Sequence, residues 1–479
     1  MRRTHLEALP ACDPTGKKAG MTMFISVIAF SRAAVRSRCW LTCAFAVSAV
    51  VGTPAHAAED APQGTASPAE QWAVHGQLTN VTQGHRRFNA PYSGTNSLRA
   101  DGRTEETTDL TLYLGARLWD GAEIWINPEI DQGFGLTGTV GMAGFPSGEA
   151  YKIGANTPYL RVPRLFVRQM FALPGASETV DGAANQLGGV HAANNVTVTV
   201  GKFSVVDIFD TNSYAHDPRA DFMNWAVIDA GAVDYAADAW GFTYGAAVEW
   251  TQDRWTLRGG MFQLSSEPNG KITRAQFSQK SLMAELEARY QWREHPGKIK
   301  LLGFVNRARM GSYRDALALS QMSGDTPDTA LVRQHGSNAG LALNLEQEVS
   351  SELGVFARVG INQGRQEAYE FTEINRTVST GMALKGDRWG RHGDTVGIAA
   401  VINQLSGPAR DYFSAGGIGI LIGDSALRYG PEQIVETYYA LGVSEHVKLS
   451  LDYQYVNHPA YNRDRGPVSI FGARLHAEF

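Results

Sequence analysis

Alternating apolar and polar residues, repeated along most of the chain, constrain its fold more than any other feature. In the segment 281–292, Leu282, Ala284 and Leu286 alternate with Glu285 and Glu287. A period of two is typical of a β-strand, and an apolar face opposite a charged face is typical of a strand between lipid and water. About sixteen segments have this pattern: 72–82, 106–119, 122–131, 159–173, 194–203, 240–250, 254–263, 281–292, 298–308, 337–348, 353–363, 374–385, 394–404, 431–443, 447–457 and 467–479.

The connections between these segments alternate in length. Short turns at 119–121, 251–254 and 444–446 alternate with long polar loops, and the segment 174–193 is a longer connection where a short turn is expected. Short periplasmic turns and long external loops are typical of bacterial outer-membrane proteins. The pattern therefore predicts an all-β fold, a transmembrane antiparallel β-barrel of about sixteen strands.

Two turns make the strand register testable. A three-residue turn at 119–121 with Gly121 left-handed places Arg117 opposite Glu123 and Leu118 opposite Ala122, so that charges and apolar groups each match. A four-residue turn at 251–254 likewise places two tryptophans, at 250 and 255, opposite each other.

The start of the chain has the pattern of a secretory signal. Three arginines between residues 32 and 38 precede the apolar run 39–51, and Ala55 and Ala57 form a small-residue exit. We expect a signal peptide at 1–57, a short linker at 58–70 and the barrel domain at 71–479, with Met21 or Met23 as alternative start codons.

Several classes of protein are disfavoured. All three cysteines precede residue 58, so neither disulfides nor zinc–thiolate sites are expected in the mature chain. No later run approaches the roughly eighteen apolar residues of a membrane-spanning helix. The net charge of −5 does not indicate nucleic-acid binding. Sequence motifs of serine hydrolases, zinc proteases and P-loop enzymes are absent, so we predict that the chain is not an enzyme.

Aromatic residues are predicted to mark both edges of the membrane. Trp250, Trp255 and Trp292 occupy apolar faces near the predicted periplasmic ends, and Trp240 and Tyr455 lie near the other rim. The final segment alternates up to a terminal Phe479, which resembles the signal read by the outer-membrane assembly machinery. The expected location is therefore the bacterial outer membrane, as an integral, multi-pass barrel.

The longest predicted external loop, 204–239, is rich in aspartate and aromatic residues. One interpretation is a segment that folds inward to narrow the channel, with bound calcium as an alternative cofactor, although no regular twelve-residue calcium loop is present. The simpler interpretation is that its aspartates form turns and are solvated. No other cofactor or metal is predicted.

Charges of both signs fall on the predicted inward faces, and most are expected to form a hydrated channel wall. They are Arg117, Glu123, Glu129, Arg164, Arg168, Glu249, Arg258, Arg289, Arg358 and Lys448. Solute binding needs planar hydrogen-bonding groups and aromatic rings together. The candidate constriction and solute-binding residues are Trp125, Asn127, Glu129, Arg164, Arg168 and Trp225.

Several long stretches resemble the carbohydrate-selective porin (OprB-type) family. They are Phe88–Leu98 (FNAPYSGTNSL), Leu112–Glu129 (LYLGARLWDGAEIWINPE), Gln132–Tyr151 (QGFGLTGTVGMAGFPSGEAY), Val200–Asp238, Asp411–Pro431 and the tail His458–Phe479. The resemblance implies a sixteen-stranded outer-membrane barrel for passive diffusion of small carbohydrates into the periplasm. The region 264–400 is less similar, so substrate preference could differ.

Alternatives remain open at this point: a weakly selective general porin, a polysaccharide export channel, or a barrel-borne hydrolase or adhesin. The expected partners are small sugars or other polar solutes, outer-membrane lipid and the barrel assembly machinery, which would bind through Phe479. A homotrimer and a monomer are both compatible with the sequence.

Overall fold

The computed structural model describes residues 69–479. The predicted signal peptide and the linker, except for its last two residues, lie outside the described residues. In chain order the strands are β1 (Trp72–His85), β2 (Arg103–Trp119), β3 (Ala122–Gly133), β4 (Ala155–Ala172), β5 (Ser177–Val180), β6 (Gly189–Ala192), β7 (Asn195–Phe203), β8 (Thr243–Gln252), β9 (Trp255–Gln263), β10 (Lys280–Trp292), β11 (His295–Met310), β12 (Gln334–Glu348), β13 (Leu353–Asn362), β14 (Arg376–Lys385), β15 (Thr395–Gln404), β16 (Glu432–Ser444), β17 (Val447–Asn457) and β18 (Val468–Glu478).

Sixteen of these strands form one closed antiparallel barrel, in which β1 pairs with both β2 and β18. The alternation explains this arrangement, because exposed residues such as Leu282 and Leu286 on β10 alternate with buried ones such as Glu285 and Glu287. Apolar side chains therefore face outward and polar side chains face inward, as a barrel in lipid requires. The predicted fold is confirmed, and each of the sixteen predicted segments overlaps one barrel strand.

Helices occur only in connections within residues 69–479. They are α1 (Trp225–Ile228), α2 (Tyr313–Ser323) and α3 (Gly407–Ser414), with 3-10 turns at Leu136–Thr139, Val205–Asp207, Thr329–Val332, Gly386–Trp389 and Pro459–Tyr461. The side chain of Ser312 caps the start of α2, and Gly324, with a φ of 80°, ends it. None of the helices in this part of the chain is long and apolar enough to cross a lipid bilayer.

At the two turns for which the sequence predicts a register, the observed residue pairing differs in part from the predicted pairing. Gly121 is left-handed (φ 73°) and Arg117 lies opposite Glu123, as predicted, but Trp119 replaces Leu118 opposite Ala122 through a β-bulge. At the second turn the strands continue further, so Gln252 faces Trp255 and the predicted pairing of the two tryptophans is wrong. The observed strand register differs from the predicted one by two residues. Because side chains alternate with a period of two, each one stays on its predicted face and the apolar face is preserved.

The long connection 173–194 contains a separate two-stranded sheet, β5 with β6, at the periplasmic end of the barrel. Glu70, just before β1, binds this hairpin: its carboxylate accepts a hydrogen bond of 2.7 Å from the backbone N–H of Gly188. Leu187 at the hairpin tip is fully buried in the main apolar cluster. The hairpin thus packs against the barrel.

Four of the five predicted aromatic positions are exposed on the outer face at the expected ends. Trp250, Trp255 and Trp292 lie beside the periplasmic turns and Tyr455 lies near the external end of β17. Trp240 instead belongs to the connection between β7 and β8. The ammonium group of Lys271, in the connection between β9 and β10, lies 4.8 Å from the centre of its ring.

Candidate functional site

The connection between β7 and β8, residues 204–242, folds into the barrel and narrows it; we call it the inner loop. Most of its residues are buried, including Asp210, Asp229, Asp234 and Asp238. The interpretation as an inward-folded segment is therefore right, and the expectation that these aspartates are solvated is wrong. The carboxylates of Asp210, Asp234 and Asp238 accept hydrogen bonds from neighbouring segments; Asp234, for example, accepts from the backbone N–H groups of residues 369 and 370 in the connection between β13 and β14.

Carboxylates on the wall hold the inner loop by its backbone. Glu285 on β10 accepts a hydrogen bond of 2.8 Å from the N–H of Asp210, and Glu346 on β12 accepts from both the N–H and the hydroxyl of Ser213, each at 2.8 Å. A carboxylate is a strong acceptor for an N–H group that has no partner in a strand or helix. Acidic residues that alternate with apolar ones on the strands are thus loop anchors.

Two arginines on well-separated parts of the wall complete this attachment. Arg358 on β13 donates to the carbonyl oxygens of Ala215 and Val227, both at 2.8 Å, and forms an ion pair of 3.2 Å with Asp210. Arg474 on β18 donates to carbonyl oxygens of residues 218, 220 and 221 at 2.6–2.9 Å. Arg358 was expected to belong to a hydrated wall, but it is fully buried.

Three arginines on β4, namely Arg161, Arg164 and Arg168, form a row along the inner wall that we call the arginine ladder. Arg164 makes two hydrogen bonds, of 2.7 and 2.8 Å, to the carboxylate of Asp207 at the start of the inner loop. Arg161 lies 2.6 Å from Glu129 on β3. All three side chains are partly buried, and Arg168 is the most exposed of them.

Strict alternation could not identify Arg161, because it has the opposite parity to Arg164 and Arg168. Two residues of β3, Asn127 and Glu129, pair with Arg164 and Arg161, so β4 has one extra residue there. Pro163 lies within this bulge, and proline inside a strand is a sign of such an irregularity. That proline is the signal from which Arg161 could have been found.

Arg168, at the periplasmic end of the ladder, connects three parts of the molecule. It donates a hydrogen bond of 2.8 Å to the carbonyl oxygen of Asn185 in the periplasmic hairpin and lies 3.8 Å from Glu123. A cavity of about 290 Å³ is lined by Arg168, Asp207 and His216. This cavity shows that the ladder and the inner loop border the same space.

The stretch 213–221 of the inner loop is the part of that loop that stays largely half-exposed. Within it, Arg219 lies 3.4 Å from Glu149 and 3.9 Å from Asp109. Although burial opposes ionisation, the guanidinium of Arg219 holds the pKa of Asp217 below its usual value. Burial, together with the charge of Asp217, raises the pKa of Asp221 to about 6.

The six candidate residues from the sequence fall into two groups. Asn127, Glu129, Arg164 and Arg168 lie together on the inner faces of β3 and β4, with Asn127 directly opposite Arg164. Trp125 also faces inward there, but it is fully buried and its indole N–H donates to Glu123 at 3.0 Å.

Trp225 lies apart from the ladder, in α1 of the inner loop. Its ring is stacked between Phe145, with a centroid distance of 5.3 Å, and Phe371, at 4.4 Å. Aromatic stacking of this kind fixes the position of a loop. The structure therefore does not bring Trp225 together with the other five candidates.

The geometry of the described residues gives no support to the hypothesis that the inner loop binds calcium. Residues 69–479 contain no group of three or more histidine, cysteine or acidic side chains arranged to hold a metal ion. Calcium binding by the inner loop stays a prediction.

Comparison with known proteins agrees with this architecture. The carbohydrate-selective porin, OprB family, matches residues 95–479. Porin AaxA of Chlamydia abortus is 22% identical over 295 residues, which cover 59% of this chain and 54% of that relative, so the chain spans about half of its length. The high-pH structure of Pseudomonas putida OprB is similar in fold, with a TM-score of 0.64, 14% identity and coverage of 85% of this chain and 94% of that one. This chain belongs to the OprB family of carbohydrate-selective porins and is an integral β-barrel of the bacterial outer membrane.

Proposed function

We propose that this porin lets small carbohydrates diffuse passively into the periplasm and that the arginine ladder is where they bind during passage. One observation carries the proposal: Arg164 and Arg161, each paired with a carboxylate, share the inner face of β4 with Arg168, which lines the cavity beside the inner loop. Membership of a carbohydrate-selective family supports it.

The chemistry of the ladder suits neutral polyols. A guanidinium presents several N–H donors in one plane, and a neighbouring carboxylate supplies acceptors, so adjacent sugar hydroxyls can find both. Arg164 is paired with Asp207, Arg161 with Glu129 and Asp131, and Arg168 lies 3.8 Å from Glu123, so the site has little net charge with which to retain ions. Hydrogen bonds that contribute about 0.5–1.5 kcal/mol each give millimolar binding, which allows release as well as entry.

The remaining candidates are assigned supporting roles in this proposal. Asn127, directly opposite Arg164, is fully buried, so we assign it to the wall that supports the ladder. Trp125 holds Glu123 near Arg168. Trp225 fixes the inner loop through its stacked neighbours.

The test is conductance of the purified protein in planar bilayers, with a panel of neutral sugars as blockers. Arg164→Gln should weaken sugar block about tenfold and change ion selectivity, because one donor group is lost and Asp207 is left unpaired. Lys448→Gln is the matched control: Lys448 also faces inward, near the periplasmic end of β17, and its loss should leave sugar block unchanged.

Liposome uptake separates this function from the alternative of a weakly selective general porin. Uptake of neutral sugars should exceed that of amino acids of similar size. Equal rates for both solutes, with sugar block unaffected by Arg164→Gln, would assign the general-porin function instead.

A further inference from the structure

The membrane-facing side of the barrel carries four cations on one arc of its external rim, from β10 to β14. On β11, Arg307 and Arg309 continue the exposed face formed by Ile299 and Leu301. Lys280 on β10 and Arg376 on β14 likewise precede exposed apolar residues on the same face. All four lie beside the long loops, at the external strand ends. We call Lys280, Arg307, Arg309 and Arg376 the outer-rim basic patch.

The register places like charges side by side in this patch. Lys280 on β10 is directly opposite Arg307 on β11, and Arg309 lies two residues further along the same strand face. Like charges in directly opposed positions destabilise a sheet. Within residues 69–479 no carboxylate lies in ion-pair distance of any of the four cations; the nearby Arg333, by contrast, pairs with Glu367 at 2.8 Å. The patch is thus a concentration of positive charge that the described chain does not neutralise.

Elsewhere on the rim, the outward-facing residues at the external ends of several strands carry no positive charge. Gln404 on β15 and Gln433 on β16 are neutral, and on the other side Glu106 on β2 and Gln132 on β3 are acidic and neutral. A general requirement for cations at the membrane edge would distribute them around the barrel. One further outward-facing cation, Lys202 on β7, stands alone and donates to the carbonyl oxygen of Val162. The concentration of four cations on β10, β11 and β14 indicates a localised anionic ligand.

We propose that the outer-rim basic patch binds the phosphate groups of lipopolysaccharide in the outer leaflet. The patch lies on the lipid-facing surface immediately outside the apolar band, where lipid headgroups are found. Arginine pairs with phosphate in a two-point geometry, and Arg307 and Arg309 project from one strand face two residues apart, about 7 Å along the strand. Bound phosphate also removes the repulsion between Lys280 and Arg307. The ligand is a structural lipid, distinct from the solute that passes through the channel.

The experiment uses the full mature protein in detergent and two probes: lipid A carrying both phosphates, and the same lipid A after enzymatic removal of both. Binding is measured by native mass spectrometry across a titration. The phosphorylated lipid should bind about tenfold or more tightly than the dephosphorylated one, and Arg307→Gln with Arg309→Gln should abolish that difference. Sugar block in planar bilayers should be unchanged in this double variant.

A matched double variant controls for total charge. Arg254 and Arg293 lie in periplasmic turns, with their guanidinium groups 5.1 and 4.7 Å from the ring centres of Trp255 and Trp292. Arg254→Gln with Arg293→Gln should keep the preference for phosphorylated lipid A. Equal affinity of the wild-type protein for both lipids, or equal loss in both double variants, would overturn the proposal. If the patch variant does not fold, Arg376→Gln replaces it, and the comparison of the two lipids on the wild-type protein remains decisive.

Discussion

Single buried side chains decide how the inner loop is held. Arg358 contacts the carbonyl oxygens of three loop residues and the carboxylate of Asp210, so it connects distant points of the loop to one strand. No other neutral or charged side chain of similar size offers five N–H donors in one plane. The attachment of the loop thus depends on a residue that does not need to contact any solute.

We expect Arg358→Gln to release the inner loop without unfolding the barrel. Loss of the buried partner of Asp210 should cost about 3–5 kcal/mol locally, whereas the sixteen-stranded closure is untouched. Single-channel conductance should rise and sugar block should weaken. Arg289→Gln is the control, because Arg289 pairs with Glu287 and donates to Asp253 in a periplasmic turn, away from the inner loop. Identical conductance of wild type and Arg358→Gln would contradict this expectation.

Asp221 should make ion selectivity depend on pH. Its pKa is raised to about 6, and it borders a cavity of about 390 Å³ together with Ser213 and Lys298. Below pH 6 the carboxyl is neutral, and above pH 6 it adds a negative charge, so cation preference should increase as the pH rises from 5 to 8.

Reversal potentials in a salt gradient at pH 5 and pH 8 measure this change. Asp221→Asn should reduce the change, since its side chain cannot ionise. A pH response of the same size in the variant would assign the titration to another group.

At the scale of elements, alternation was sufficient to predict every strand of the barrel, because lipid outside and polar groups inside impose opposite requirements on neighbouring residues. It also put Glu129, Arg164 and Arg168 on the inner face. It failed where the period of two is interrupted. At the bulge that contains Pro163, the alternation changes phase, so Arg161 was not predicted to face inward. The direction of the inner loop could not be derived, because aspartate-rich segments are equally suited to solvated turns and to buried hydrogen-bond networks.

The seam between β1 and β18 depends on a close contact with the terminal residue. Gly76 and Phe479 exchange two backbone hydrogen bonds of 2.9 Å, and a side chain at Gly76 would meet the Phe479 ring at 2.3 Å. Gly76→Val should therefore reduce the amount of folded barrel. Gly259→Val, on the outer face of β9 with open space around it, should have little effect. Heat-dependent gel mobility of membrane fractions measures both; equal amounts of folded barrel would refute the role of the contact.

At the scale of the whole molecule, polarity is reversed relative to a water-soluble protein: the exposed outer face is apolar, and buried charges lie inside. Such a chain must reach its membrane before it folds. The predicted signal peptide at 1–57 provides for export, so the mature protein should begin at Ala58. N-terminal sequencing of the outer-membrane fraction measures this, and a mature chain that still contains Cys39 would contradict the prediction.

Closure of the barrel joins residues from the two ends of the described chain, with Gln77 paired to Glu478 and Thr79 to His476. This pairing is among the most distant in sequence, and contacts of this kind are slow to form. Until β18 is in place, the sheet has two open edges that can pair with other chains. Synthesis that stops early therefore produces an aggregation-prone sheet rather than a smaller channel, and the cell must keep the chain unfolded until its final strand has been exported.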